Sequence, residues 1–186
     1  MLSLVGIMSC AHGAWISSSR TMGDTLARAV GEGAYSTVHV PVDKTGFFAC
    51  LSEAKYLIIH THGSPHGLYD QRADGSRKTI MTLSGIEALP DFPGIQLVIL
   101  TACQAGGGAP ERNVAAALSK KIAKGGLVIA NRFVTWGADS DFGEKEGRQG
   151  WVGYQNGRLV IPSEKLPARI TMADAYRIYT NQHLYK

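Results

Sequence analysis

The sequence predicts an α/β fold, a three-layer α/β/α sandwich built on a mostly parallel sheet. Three observations point there. Short runs such as YLIIHT (56–61) and LVILTA (97–102) are apolar at nearly every position, which suits strands buried on both faces. These runs alternate along the chain with segments that carry helix-start signals and helical spacing. No internal repeat or linker interrupts the alternation, so the 186 residues read as a single domain, 1–186.

Leu2 to Met8 is expected to be the first strand. TMGD (21–24) has capping-box spacing and should open a helix through Leu26, Ala29 and Val30. Ser36 to Val42 reads as a second strand, Thr45 to Ala54 as a short helix or turn, and Tyr56 to Thr61 as the third strand. The polar stretch GSPHGLYDQRADGSRK carries the Pro and Asp-Gly signals of a loop or hairpin. SGIE (84–87) is a second capping-box pattern, opening a helix that Pro90 ends. Leu97 to Ala102 is the fourth strand. Pro110 can open a helix, since its missing N–H costs nothing there. Val114, Leu118 and Ile122 then recur every four residues until Gly125-Gly126 stops the pattern. Leu127 to Ala130 is the fifth strand, Asn156-Gly157 signals a type I′ hairpin, and a TxxD box at Thr171 opens a last helix running to about Gln182.

Composition narrows the function. The chain is 45% hydrophobic and 18% charged, an ordinary globular balance. A net charge of +4 falls short of a nucleic-acid binder. The densest basic cluster, Lys120, Lys121 and Lys124, is expected to be a solvated helix face. Cys10, Cys50 and Cys103 cannot all pair and lack metal-binding spacing, so free thiols, a reducing compartment, a cytoplasmic location and no metal or cofactor are expected. The apolar N-terminal run is short with no basic residue before it, which favours a core strand over a leader. No apolar run is long enough to span a bilayer, so no membrane partner is expected.

Parallel strands reached by right-handed crossovers end at one sheet edge, where sites gather. Two strands end there in reactive side chains, one at His60 and His62 and the other at Cys103. A thiol attacks a carbonyl as the thiolate and needs a base beside it. The separation, 103 − 62 = 41 residues, leaves room for one crossover, so His62 and Cys103 can face each other across neighbouring strand ends. His60 alternates with His62 and should point to the same side as a packing residue; His66 is a further candidate base. Glycines 106–108 would let the backbone turn and bring N–H groups to an oxyanion. Against this stands a buried structural thiol, the role expected of Cys50 in FFACL.

The paired patterns YLIIHTHGS and LVILTACQAG resemble the caspase-like (clan CD) cysteine peptidases, a group that includes caspases, gingipain, clostripain, legumain, separase and the CHAT domains. Thr101 stands where the caspase signature has Gln, and Ala105 intervenes before the Gly, so the CHAT pattern is the better fit. The likeness covers residues 55 to 141, including VIANRFVTWGADSD after the cysteine strand. It implies a caspase-like fold and a cysteine endopeptidase acting on a protein or peptide, with Cys103 as nucleophile and His62 as proton shuttle. The N–H groups of Gly63 and Cys103 would form the oxyanion hole. The loop TWGADSDFGEKEG would line the pocket for P1, the residue whose carbonyl is cut. Trp136 would be its apolar wall, with Asp139 or Asp141 available to a basic P1 side chain. Arg132 and Arg148 would instead suit an acidic one. Relatives are often zymogens or under the control of a regulatory protein partner. Two other classes compete: a catalytically silent CHAT-like binding or scaffold module, and a nucleotide-binding α/β domain whose AGGG loop cradles phosphate. The second lacks the Lys-Ser/Thr of a P-loop.

Overall fold

The computed structural model describes residues 5–10, 14–40, 47–48, 51–52, 54–71, 75–138, 141–144 and 147–185. Its centre is a seven-stranded sheet made of β1 (Val5–Cys10), β2 (Ser36–Val40), β3 (Tyr56–His60), β7 (Leu97–Leu100), β8 (Leu127–Asn131), β11 (Trp151–Gln155) and β12 (Arg158–Ile161). The spatial order is β12-β11-β8-β7-β3-β1-β2. The five strands from β2 to β8 are mutually parallel, and β11 runs antiparallel to β8. Asn156 and Gly157 both take positive φ (47° and 80°) in the β11–β12 turn, as a type I′ turn requires.

The apolar strands divide their side chains between two cores with period two. Ile7, Ile58, Ile99 and Ile129 face α1 (Ala14–Val30) and α4 (Met172–Thr180), which contribute Met22, Leu26, Met172, Ala175 and Ile178. Leu57, Ile59, Val98, Leu100, Val128 and Ala130 face the other way, against α2 (Leu83–Glu87) and α3 (Val114–Ser119). Each such side chain, withdrawn from water on both sheet faces, contributes about 1.5–3 kcal/mol. The mixed α/β architecture with a mostly parallel sheet and helices on both faces is therefore the expected one.

Several helix starts differ from expectation. TMGD lies inside α1, which begins seven residues earlier at Ala14. The Thr21 hydroxyl bonds back to the Ser17 carbonyl instead of forward to an amide, because the buried stripe Ser18, Ser19, Met22 and Leu26 already carries the helix past it. In α2 the cap is Thr82, whose Oγ1 accepts from Gly85 N at 3.0 Å, two residues before the expected Ser84. In α3 the cap is Asn113, and Pro110 lies in the turn before it. The lysines expected on that helix follow its end at Ser119; Lys120 and Lys124 are exposed and Lys121 half-buried. The Thr171–Asp174 capping box of α4 is present with both reciprocal bonds.

Two short sheets complete the chain. His62–Ser64 (β4), Gly67–Gln71 (β5) and Arg77–Thr82 (β6) form an antiparallel meander after β3, where a loop or hairpin was expected. The segment expected as the pocket loop instead forms strands β9 (Thr135–Ala138) and β10 (Asp141–Glu144), joined in a sheet by β13 (Arg169–Thr171). Phe142 pairs with Ile170 and is buried, so a segment 28 residues away in sequence (170 − 142) holds this hairpin. No helix among the described residues is long and apolar enough to cross a membrane.

Candidate functional site

The parallel register of β3 and β7 brings the segments that follow them to the same edge of the sheet. Ile59 of β3 lies opposite Leu100 of β7, an offset of 100 − 59 = 41. One step further His60 Nδ1 and Thr101 Oγ1 are 2.7 Å apart, at the same offset. The two chains stay close beyond the strands. A Cβ placed on Gly63 would lie 2.8 Å from Ala102 Cβ and 3.0 Å from the Cys103 carbonyl oxygen. Only a glycine lets the His62–Gly63 backbone approach the Ala102–Cys103 backbone this closely. Both His62 and Cys103 are half-buried, and the Cys103 thiol is free. Cys50 lies outside the described residues.

The two histidines do not share one strand. β3 ends at His60, the chain bends at Thr61, and His62 starts β4 in another sheet, so the expectation that both point to the same side does not follow from strand alternation. His60 is buried on the α1/α4 face, edge-on to Phe142 with ring centroids 5.4 Å apart. Burial, reinforced by the charge of nearby His62, pushes its pKa down to about 3, so it is neutral at physiological pH. It is a structural group, while His62 retains access. His66, on the β4–β5 turn, is exposed.

His60 belongs to a polar row beneath the dyad. Ser9 lies opposite His60, and the Leu100–Ala130 pairing sets Thr101 beside Asn131. All four are buried and stand at the ends of four adjacent strands. The Ser9 and Ser19 hydroxyls bond each other, tying α1 to this row. Asn131 Oδ1 accepts from Phe133 N at 2.8 Å, and its Nδ2 has no hydrogen-bond partner among the described residues.

The glycine loop does a different job from the expected one. Gly106 N donates to Asn131 O (3.0 Å) and Gly107 N to Gln104 O (2.8 Å), so neither amide is left for an oxyanion. A Cβ at Gly106 would meet Val152 Cγ2 at 2.8 Å, and one at Gly107 would meet the Arg132 carbonyl at 2.9 Å. These residues are small because β8 and β11 pack against them. Tyr154 Oη donates to the Gly106 carbonyl at 3.2 Å and accepts from Asn113 Nδ2 at 2.9 Å, anchoring the loop from below. The same committed amides argue against a phosphate cradle. Gln104 takes the left-handed conformation (φ 56°), turning the chain sharply just after Cys103.

Two other amides remain relevant. Ser64 and Gly67 close a two-residue turn, so they and the His62–Tyr69 pair exchange hydrogen bonds while Gly63–Leu68 does not. The Gly63 N–H therefore points away from β5. The amides committed within the loop begin at Gln104, which donates to Phe133 O at 2.9 Å, one residue past Cys103.

One neighbour of the sulfur was not foreseen. Cys103 Sγ lies 3.7 Å from Thr135 Oγ1 and 3.9 Å from the Thr135 carbonyl oxygen, and Thr135 Oγ1 donates to Thr101 O at 2.7 Å. A threonine opening TWGAD carries no chemical signature; only the fold brings it here. Trp136 follows on β9, and Asp141 begins β10, with Trp136 paired to Gly143 and Asp141 to Ala138. Asp139 lies outside the described residues. Arg132 is exposed, and Arg148 stacks over the Phe133 ring at 4.5 Å. Among the described residues no three His, Cys, Asp or Glu side chains gather as a metal site would need. No family model matches the chain, and no curated protein matches it.

Proposed function

We propose that the protein is a cysteine endopeptidase of caspase-like architecture, using Cys103 and His62 as a dyad. The observation that carries this is the close approach of the chain after β3 to the chain after β7, with Gly63 against Ala102 and the Cys103 carbonyl. Cys103 Sγ attacks the scissile carbonyl carbon, and His62 takes the thiol proton. The carbonyl electrons move onto oxygen, where the Gly63 and Cys103 amides would receive them. Collapse breaks the C–N bond, His62 protonates the departing amine, and water activated by His62 then hydrolyses the thioester.

Trp136 and Asp141 on the β9–β10 hairpin, with Asp139 between the two strands, would receive a basic P1 side chain, since the hairpin starts at the residue touching the sulfur. The acting compartment would be reducing, as a free thiol nucleophile requires. Cys103→Ala and His62→Ala should each abolish cleavage of a positional library of fluorogenic peptides while leaving the thermal transition within about 0.5 kcal/mol of wild type, as expected for half-buried site residues. Intact-mass measurement after incubation, wild type against Cys103→Ala, would report self-cleavage in the same experiment. A fully active Cys103→Ala protein would sink the proposal. Wild-type inactivity towards the whole library, with Cys103 no more reactive to an alkylating peptide than Cys10 or Cys50, would favour the binding or scaffold module.

A further inference from the structure

We propose that Thr135 is a positioning residue that engages and orients the Cys103 S–H in the resting site; this rests on Cys103 being the nucleophile. The sulfur faces two oxygens of one residue, Oγ1 at 3.7 Å and the main-chain carbonyl at 3.9 Å. The Oγ1 hydrogen is committed to Thr101 O by a 2.7 Å bond, so towards sulfur the hydroxyl presents lone pairs only, as the carbonyl does. An S–H group satisfies these acceptors, whereas a thiolate would be repelled by both.

The acceptor pair is braced from below. Thr101 Oγ1 donates to Ile59 O at 3.4 Å and is hydrogen-bonded to Nδ1 of buried His60 at 2.7 Å. A continuous set of bonds thus runs from the sheet interior to the sulfur. The nearest titratable side chains along the adjoining segments are His60 and His62; the 104–110 loop and residues 133–138 carry none, and Arg132 is exposed. His62 is then the group that draws the proton away from Thr135. Alkylation and oxidation act on the thiolate, so the arrangement shields the nucleophile until that transfer occurs.

The test is the rate at which iodoacetamide modifies Cys103, followed by site-resolved mass spectrometry in folded wild type, Thr135→Val, Thr135→Ala and Thr135→Ser. The S–C bond forms as iodide leaves, and the thiol proton passes to buffer. Losing one weak acceptor should accelerate modification near pH 7 by about two- to fivefold in the Val and Ala variants. The Ser variant should match wild type, and all four should converge near pH 10, well above the ordinary thiol range. Rates in Val and Ala that are unchanged, slower, or raised equally at both pH values overturn the proposal, as does a Ser variant that behaves like Val. Two aliphatic variants guard against one failing to fold. Alkylation needs no peptide cleavage, so an inactive wild type would refute the peptidase and still leave Thr135 decided by its own measurement.

Discussion

Gly63→Ala offers a direct probe of how closely the two reactive strand ends must approach. The added Cβ would lie 2.8 Å from Ala102 Cβ and 3.0 Å from the Cys103 carbonyl, where ordinary contact begins at 3.4 Å. Neither neighbour is the tip of a flexible side chain, so the backbones must part by about 0.6 Å (3.4 − 2.8). Overpacking of this kind costs about 1–3 kcal/mol, offset by about 0.5–1 kcal/mol from the lower unfolded-state entropy of alanine. The net loss is about 1–2 kcal/mol, a fall in Tm of about 2–8 °C for a chain of this size. Because 1 Å of misplacement costs roughly a hundredfold in rate, about 0.6 Å should slow cleavage by about tenfold or more. Gly33→Ala is the control: nothing lies within 4 Å of its added Cβ, and the change should stay within about 0.5 kcal/mol. Calorimetry and peptide cleavage on the same preparations measure both effects. A Gly63→Ala protein as stable and active as wild type would refute the close approach and, with it, the use of the Gly63 amide.

His60 and Gln104 yield two further expectations. His60 is held neutral, its pKa lowered from 6.5 to about 3, so above pH 6.5 folded and unfolded chains bind the same number of protons. As pH falls below 6.5 the unfolded chain takes up a proton first, and stability drains by about 1.4 kcal/mol per pH unit until about pH 3, roughly 5 kcal/mol in all. Urea unfolding at pH 7 and near pH 4.5 should therefore show a loss in wild type about 3 kcal/mol larger than in His60→Gln, whose side chain does not titrate; equal losses would contradict the assignment. Gln104 sits at φ 56°, so Gln104→Gly should be neutral or slightly stabilising and Gln104→Val should cost about 1–2 kcal/mol by chemical denaturation. Indistinguishable Gly and Val variants would count against a strained turn after Cys103.

The sheet was legible because its cause is local. Strands buried on both faces must be apolar at consecutive positions, and residues 56–59, Leu97–Leu100 and residues 127–130 are. The separation of His62 from Cys103 was also legible, since strand and crossover together fix it. Helix starts were less so. TMGD and TMAD share one pattern, yet only the second caps a helix, because Thr171 leaves β13 while Thr21 continues a stripe begun upstream. The hairpin of β9 and β10 was read as a loop because its third strand is remote in sequence. The glycines after Cys103 were read as freedom, whereas Val152 and the Arg132 carbonyl fill the space side chains would take. Thr135 was invisible for the same reason, since its role is conferred by what Thr101 and Cys103 place beside it.

The common offset of 41 has a consequence for how such a site can evolve. The alignment of β3 with β7 is set by hydrogen-bonded pairs between the two strands, not by the chain that connects them. The β5–β6 turn, α2 and the turns after it can gain or lose residues, or be nicked, without moving either strand, because loop closure costs little more as a loop lengthens. A single residue inserted within β3 or β7 would shift the two out of step and turn the inserted strand's side chains to the opposite core. Variation is thus tolerated in the turns of the crossover, while the short strands act as the fixed ruler that variation cannot touch.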